Sequence, residues 1–227
     1  ASGYTKPGGY AEYMIARADF VARLPKRADL FAIAPILCAG VTTYRGLKRT
    51  GALPGQWVAI IGIGGLGHIA VQYAVAMGLR VAAVDVAPEK LALAKRLGAE
   101  FCVDASQENP VRAIRAKLGG THAAVVAAVS TAAFEQSIGM LRPAGTVVFV
   151  GLPGGKQDEI RASIAAISGK ELSIRGSSVS TRLDLKEAVN SALRERLQAR
   201  IATEPISATN TILNHMRRGK IVGRVVL

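Results

Sequence analysis

Apolar residues along this chain form short continuous runs that alternate with segments of helical periodicity. Six of the runs predict β-strands, at residues 57–61, 80–85, 101–103, 123–129, 145–150 and 171–175. The segments between them predict helices, which begin at residue 69 and then cover residues 87–97, 109–118, 131–141 and 160–167. Continuous apolar runs are typical of strands buried on both faces of a parallel sheet. The pattern therefore predicts an α/β fold, a doubly wound parallel sheet of six strands.

The two flanks of this region have a different pattern. Residues 9–24 predict short β segments, and residues 184–198 and 210–218 predict amphipathic helices. The last apolar run, residues 221–227, predicts a final strand. We therefore expect the flanks to be pieces of a second domain.

A glycine-rich turn after the first strand carries the strongest functional signal. Gly62, Gly64 and Gly67 fit the spacing G-x-G-x-x-G, which lets the backbone approach a pyrophosphate at a helix N-terminus. Asp85 ends the next strand, at roughly the 20-residue spacing of an acid that binds the ribose hydroxyls of NAD. No arginine follows at once to hold a 2′-phosphate, so NAD is favoured over NADP. Lys90 is a candidate contact of the adenosine ribose, or else a solvated lysine.

Composition and charge limit the possible partners. Half of the residues are hydrophobic, which indicates a packed core, and the longest apolar runs are too short to predict a membrane span. The formal charge of +13 is spread along the chain without interleaved aromatic residues, so we expect neither a nucleic-acid nor a membrane partner. Two cysteines, Cys38 and Cys102, do not make a disulfide framework. This favours a cytoplasmic protein.

Six motifs match one family in order along nearly the whole chain, at residues 8–13, 34–44, 62–68, 132–136, 141–145 and 220–227. The chain resembles the zinc-dependent alcohol dehydrogenases of the medium-chain dehydrogenase/reductase superfamily. The resemblance implies three parts. Residues 1–39 would be a remnant of a GroES-like β catalytic domain, residues 40–178 an NAD-binding Rossmann domain, and residues 179–227 the return to the catalytic domain.

The same resemblance implies roles for single residues. Cys38 is similar to a ligand of the family's catalytic zinc, and Thr42 to the threonine beneath the nicotinamide ring. Arg224 is similar to an arginine that reaches back to the pyrophosphate. The implied coenzyme contacts are Gly62, Gly64, Gly65, Leu66, Gly67, Asp85, Lys90, Val129, Val150, Ser178, Val179 and Arg224.

Zinc is the point at which this sequence departs from the family. The other two catalytic zinc ligands and the structural zinc loop belong to an N-terminal part with no counterpart here. Since one cysteine cannot hold a catalytic zinc, we expect an incomplete zinc site and a truncated chain that is inactive alone.

Plainer explanations of several residues stay open. Cys38 would otherwise be a small buried hydrophobe, and Thr42 a cap at a helix start. Core packing explains Val129 and Val150 equally well. His68 is expected to be an ordinary residue at the start of a helix.

The leading functional hypothesis is NAD-dependent oxidation of alcohols to aldehydes or ketones. It is zinc-assisted in the intact family, and this chain would carry mainly the coenzyme-binding part. The resemblance implies a small alcohol or aldehyde substrate and a homo-oligomer, a dimer or tetramer, joined at the edge strand over residues 172–176.

Four alternatives remain. A zinc-free quinone or enone reductase of the same superfamily would not need Cys38. A methyltransferase that uses S-adenosylmethionine also has a glycine turn and a strand-end acid, but Arg224 fits it less well. The others are a non-catalytic dinucleotide-binding fragment and a basic nucleic-acid-binding module.

Overall fold

The computed structural model describes residues 3, 5–26, 28–154 and 158–227. The first elements are a 3-10 helix (Ala18–Phe20), α1 (Leu30–Ile33), a second 3-10 helix (Ala34–Leu37) and α2 (Ala39–Thr50). Strands and helices then alternate: β1 (Trp57–Ile61), α3 (Gly67–Ala76), β2 (Arg80–Asp85), α4 (Pro88–Arg96), β3 (Phe101–Asp104), α5 (Pro110–Leu118), β4 (Thr121–Val126), α6 (Thr131–Met140), β5 (Leu141–Phe149), α7 (Ile164–Gly169) and β6 (Ser173–Gly176). The last elements are α8 (Arg182–Arg194), β7 (Ile201–Thr203), a 3-10 helix (Ile206–Ala208), α9 (Thr209–Arg217) and β8 (Arg224–Val226).

The six predicted strands form one parallel sheet in the order β3-β2-β1-β4-β5-β6. β1 lies at the centre, with β2 on one side and β4 on the other. The chain order reverses at this point, and such a reversal opens a crevice at the carboxyl ends of the strands. The predicted doubly wound sheet is confirmed, and the glycine turn after β1 lies at that crevice.

The central strands are buried on both faces because helices cover both. Val58 and Ile60 of β1 belong to one apolar cluster, whereas Ala59 and Ile61 belong to the other. Successive side chains of a strand point to opposite faces, which produces this division. Residues of α2, α3, α4 and α8 also belong to the first cluster, and residues of α5 and α6 also belong to the second. Burial on both faces therefore explains why the runs are apolar at every position.

Helix α2 was not predicted, although it is a large part of the core. Residues such as Val41 and Leu47 are almost fully buried against the sheet. Lys48 of α2 also donates from Nζ to Asp184 Oδ1 of α8 at 3.2 Å. Burial would raise the pKa of Asp184, but hydrogen bonds from Thr181 and Lys48 outweigh burial and lower it. This ion pair connects α8 to α2.

The flanks depart from the predictions in two places. The prediction of β segments over residues 9–24 is wrong, since that stretch contains the 3-10 helix Ala18–Phe20 and no strand. Packing of side chains against neighbours stabilises a strand, yet Tyr13 is 91% exposed and Ile15 98% exposed. At the other end, the predicted final strand pairs only over β8. Its parallel partner is β7, which the sequence pattern did not predict.

No single helix in the described ranges is long and apolar enough to cross a membrane. Leu30–Leu37 and Ala39–Thr50 together reach that length and hydropathy, with a bend of 45° between them. Much of the second segment, which is α2, lies inside the protein core.

Candidate functional site

The turn between β1 and α3 leaves its backbone bare. Gly62 has φ +88°, and a Cβ on it would lie 2.6 Å from the Ala128 backbone nitrogen. A Cβ on Gly67 would overlap the carbonyl oxygen of Gly62. Packing therefore excludes a side chain at both positions. Gly64 differs, because a Cβ there would meet no heavy atom within 4 Å. The absence of a side chain at Gly64 therefore keeps open space beside the backbone.

That open space belongs to a cavity of about 980 Å³ at the carboxyl ends of β1, β2 and β4. Residues of α9 and β8 close it from the other side. This volume lies near the upper end of the roughly 300–1,000 Å³ range of small-molecule and cofactor sites. Eight residues of the predicted site line the cavity, namely Gly62, Gly64, Gly65, Leu66, Asp85, Lys90, Val129 and Arg224.

Asp85 is held rigidly at the end of β2. Its Oδ2 accepts a hydrogen bond from the Ile63 backbone at 2.6 Å, and its Oδ1 accepts from Val86 at 2.8 Å and Ala87 at 3.1 Å. The Nζ of Lys90 lies 3.9 Å from Oδ1. An ionised carboxylate has about four acceptor positions, so at least one remains for a ligand hydroxyl. The side chain thus connects the glycine turn to the cavity wall.

Arg224 extends from β8 over the same turn. Its Cδ lies 3.0 Å and its Nη1 3.2 Å from the position that a Cβ on Gly65 would take. Within the part of the chain that the structure describes, its guanidinium has no hydrogen-bond or ion-pair partner. A free guanidinium beside bare backbone at a helix N-terminus suits a phosphate group.

Cys38 and Thr42 do not line the cavity. Cys38 is exposed at the N-cap of α2, and Thr42 is buried inside that helix, where its backbone nitrogen donates to the Cys38 oxygen at 3.0 Å. Thr42 is therefore not a helix-start cap. Among the described residues, no three His, Cys, Asp or Glu side chains are placed to hold a metal ion. A catalytic zinc needs three protein ligands, so these residues do not fit zinc.

The remaining predicted contacts are Gly67, Val150, Ser178 and Val179, which also lie outside the cavity lining. Val150 is buried beside α2, where a Cβ on Gly46 would lie 2.9 Å from its Cγ2. Val179 is exposed with φ +44°. The assignment of these residues to coenzyme binding stays a prediction.

One buried contact near the turn, between His68 and Arg200, was not predicted from the sequence. His68 begins α3 with no exposed surface, and its Nε2 accepts a hydrogen bond from the Arg200 backbone at 3.1 Å. The two residues are 132 positions apart, and Arg200 belongs to a segment with no motif of its own. Spacing along the sequence therefore contains no signal for this contact.

The sheet order and the glycine turn define a Rossmann-type α/β domain. The family model described as "Zinc-binding dehydrogenase" matches residues 65–194, more than half of the chain. This protein belongs to the zinc-binding dehydrogenase family, which confirms the resemblance found in the sequence.

Similar proteins agree with this membership. An alcohol dehydrogenase of Moraxella sp. (strain TAE123) is 49% identical over 226 residues, which are 100% of this chain and 66% of that relative. One from Geobacillus stearothermophilus is 48% identical over 225 residues, which are 99% of this chain and 66% of that relative. The crystal structure of an alcohol dehydrogenase from the archaeon Aeropyrum pernix has a TM-score of 0.92 at 35% identity, covering 100% of this chain and 67% of that chain.

Proposed function

We propose that this chain is the coenzyme-binding part of an NAD-dependent dehydrogenase that oxidises alcohols to aldehydes or ketones. The cavity carries the proposal, because it brings together bare backbone at Gly64, the fixed carboxylate of Asp85 and the free guanidinium of Arg224. Relatives of nearly 50% identity are named alcohol dehydrogenases. The chain spans 66% of their length, so the activity of the whole protein is part of the proposal.

The chain's own residues would hold the coenzyme through three contacts. The amides at the start of α3 and the Arg224 guanidinium would bind the pyrophosphate. The free acceptor position of Asp85 would bind an adenosine ribose hydroxyl, with Lys90 beside it. Val129, which is 65% exposed and lines the cavity, would lie beside the nicotinamide. When bound, the nicotinamide ring supplies the acceptor for a hydride from the alcohol carbon.

Asp85 also supports NAD over NADP. A 2′-phosphate on the ribose would bring negative charge next to a carboxylate that the backbone already holds in place. The cation that the structure places beside this carboxylate is Lys90, at 3.9 Å. Repulsion by Asp85 would therefore disfavour the phosphorylated coenzyme.

The remaining predictions continue as proposals. Cys38 would be a zinc ligand only together with donors that the described residues do not provide. Thr42 would lie beneath the nicotinamide ring. We retain the division into residues 1–39, 40–178 and 179–227, and a cytoplasmic homo-oligomer without nucleic-acid or membrane partners. Ile174 of the edge strand β6 is 39% exposed, which is compatible with pairing between copies.

Calorimetric titration with NADH tests the proposal, with zinc content measured on the same sample. We expect NADH to bind with a dissociation constant on the order of micromolar, which corresponds to about 8 kcal/mol, and no stoichiometric zinc. NADPH should bind at least about tenfold more weakly because of Asp85. S-adenosylmethionine and random-sequence DNA serve as controls for the alternative functions. A folded chain, checked by circular dichroism, that binds no NADH would rule out the proposal.

A further inference from the structure

His68 lies between the glycine turn and the segment that leads into β7. Its Nδ1 is 2.8 Å from the carbonyl oxygen of Gly64, and its Nε2 is 3.1 Å from the Arg200 backbone nitrogen. A backbone amide can only donate, so Nε2 accepts and Nδ1 carries the proton that goes to the Gly64 oxygen. Both ring nitrogens of a neutral imidazole are thereby satisfied. The side chain is fully buried, so no water competes for either contact.

The backbone of Arg200 also contacts the backbone of Arg224. Its carbonyl oxygen accepts a hydrogen bond from the Arg224 nitrogen at 2.8 Å, at the start of the β7–β8 pairing. Gly223, with φ +96°, packs closely against this carbonyl group, since a Cβ there would overlap the same Arg200 oxygen. One peptide unit on each side of Arg200 thus joins the His68 ring to the backbone of Arg224.

A second contact holds the same segment nearby. Gln72, one turn along α3, donates from Nε2 to the Gln198 oxygen and accepts from the Gln198 nitrogen, both at 2.9 Å. This pair fixes residue 198 but makes no contact with Arg200. His68 is therefore the α3 side chain that fixes the position of Arg200 relative to the glycine turn.

We propose that His68 is a positioning residue, which places the Arg224 guanidinium over the glycine turn through the backbone of Arg200. The proposal rests on the proposed coenzyme function, because the turn and Arg224 would bind the pyrophosphate together. A bidentate guanidinium–phosphate contact depends strongly on geometry, so a small displacement of β8 weakens it. His68 is not itself part of the cavity lining, and its effect on Arg224 runs through the Arg200 backbone.

Two substitutions separate the two contacts of the ring. In His68→Gln the amide oxygen reaches the place of Nε2 and still accepts from Arg200. In His68→Asn the amide reaches only the place of Nδ1, so the Gly64 contact survives and the Arg200 contact is lost. We expect the NADH dissociation constant to stay within about twofold of wild type for His68→Gln and to rise about tenfold for His68→Asn.

Arg224→Met is the partner variant, because it keeps an unbranched apolar stem and removes the charged guanidinium. If His68 acts through Arg224, His68→Asn should weaken NADH binding no further in the Arg224→Met background. His215→Asn, on the exposed side of α9, is the matched control for losing a histidine and should bind NADH like the wild type.

Each outcome decides a different question. If the folded wild type binds no NADH, the proposed function is overturned and this proposal with it. Equal NADH affinity of the wild type and His68→Asn would overturn the positioning role alone. Losses of NADH affinity that add up in the double variant would do the same. If His68→Asn does not fold, His68→Leu takes its place in the same comparison, because leucine fills much of the same space and offers no acceptor to the Arg200 amide. We expect His68→Leu to weaken NADH binding about tenfold in the wild-type background and no further in the Arg224→Met background. Unchanged NADH affinity in His68→Leu would count against the role.

Discussion

The turn after β1 and the start of α2 are both short motifs of the kind that bind cofactors, yet their surroundings differ. At the turn, Gly64 is open to a cavity, Asp85 is held by three backbone amides, and Arg224 lies overhead. At the start of α2, Cys38 is exposed, and the described residues offer it no set of metal ligands. The parts of the glycine turn come mainly from one βαβ unit. A metal site at Cys38 would need ligands from distant segments.

The physical reason is the range over which each site is built. A phosphate-binding turn needs a strand end, a helix start and glycines between them, and these follow one another along the chain. A tetrahedral zinc site needs ligands converging from several segments. Four experiments sharpen this contrast.

Substitution in the glycine turn should have the largest effect. In Gly67→Ala the new Cβ overlaps the Gly62 oxygen, so we expect a loss of more than about 3 kcal/mol in the free energy of unfolding. Gly64→Ala is the matched control, because its Cβ enters open space. It should unfold like the wild type in urea and bind NADH at least about tenfold more weakly. Equal stability of the two variants would contradict the packing argument.

Loss of the Asp85 carboxylate should have the next largest effect. Asp85→Ala leaves the buried Ile63 amide without its acceptor, and we expect it to cost about 2 kcal/mol of unfolding free energy and most of the NADH affinity. Asp85→Asn keeps one acceptor oxygen and should cost less stability. Both variants should also discriminate less between NADH and NADPH, which competitive titration measures. Unchanged discrimination would mean that Asp85 does not face the ribose.

Lowering the pH should have a smaller effect. Burial, more than the nearby arginines, lowers the pKa of His68, and burial together with Arg142 lowers that of His122. Below about pH 6.5 the unfolded chain therefore takes up protons that the folded chain does not, and stability falls with pH. Unfolding in urea at about pH 7.5 and about pH 5.5 should show a smaller decrease for His68→Gln than for the wild type. An identical decrease would show that His68 is not kept neutral by folding.

Cys38→Ser should have the smallest effect. The side chain is exposed, so we expect a change within about 0.5 kcal/mol in stability and no change in NADH affinity or zinc content. Cys102→Ser is the comparison, since that thiol is half-buried beside the Leu91 oxygen and its pKa is raised by burial. A fall in bound zinc in Cys38→Ser would show a metal site that the described residues do not reveal.

Local patterns were enough to predict the six strands, the turn and Asp85. Each of these depends on the burial of one run or on the conformation of a few consecutive residues, such as positive φ at Gly62. By contrast, the sequence pattern failed for residues 9–24, where the strand-like run forms no strand and its apolar side chains are exposed. It also missed β7, whose three residues are a strand only because β8 lies beside them.

The amino-acid order thus specified the α/β class and the glycine turn, since backbone conformation and burial periodicity are properties of neighbouring residues. It could not specify that the His68 ring meets the Arg200 backbone, or that Arg200 in turn meets Arg224. The first of these contacts joins residues 132 positions apart. Folding brings such segments together by packing whole helices and strands, and no short motif records which side chains will then touch.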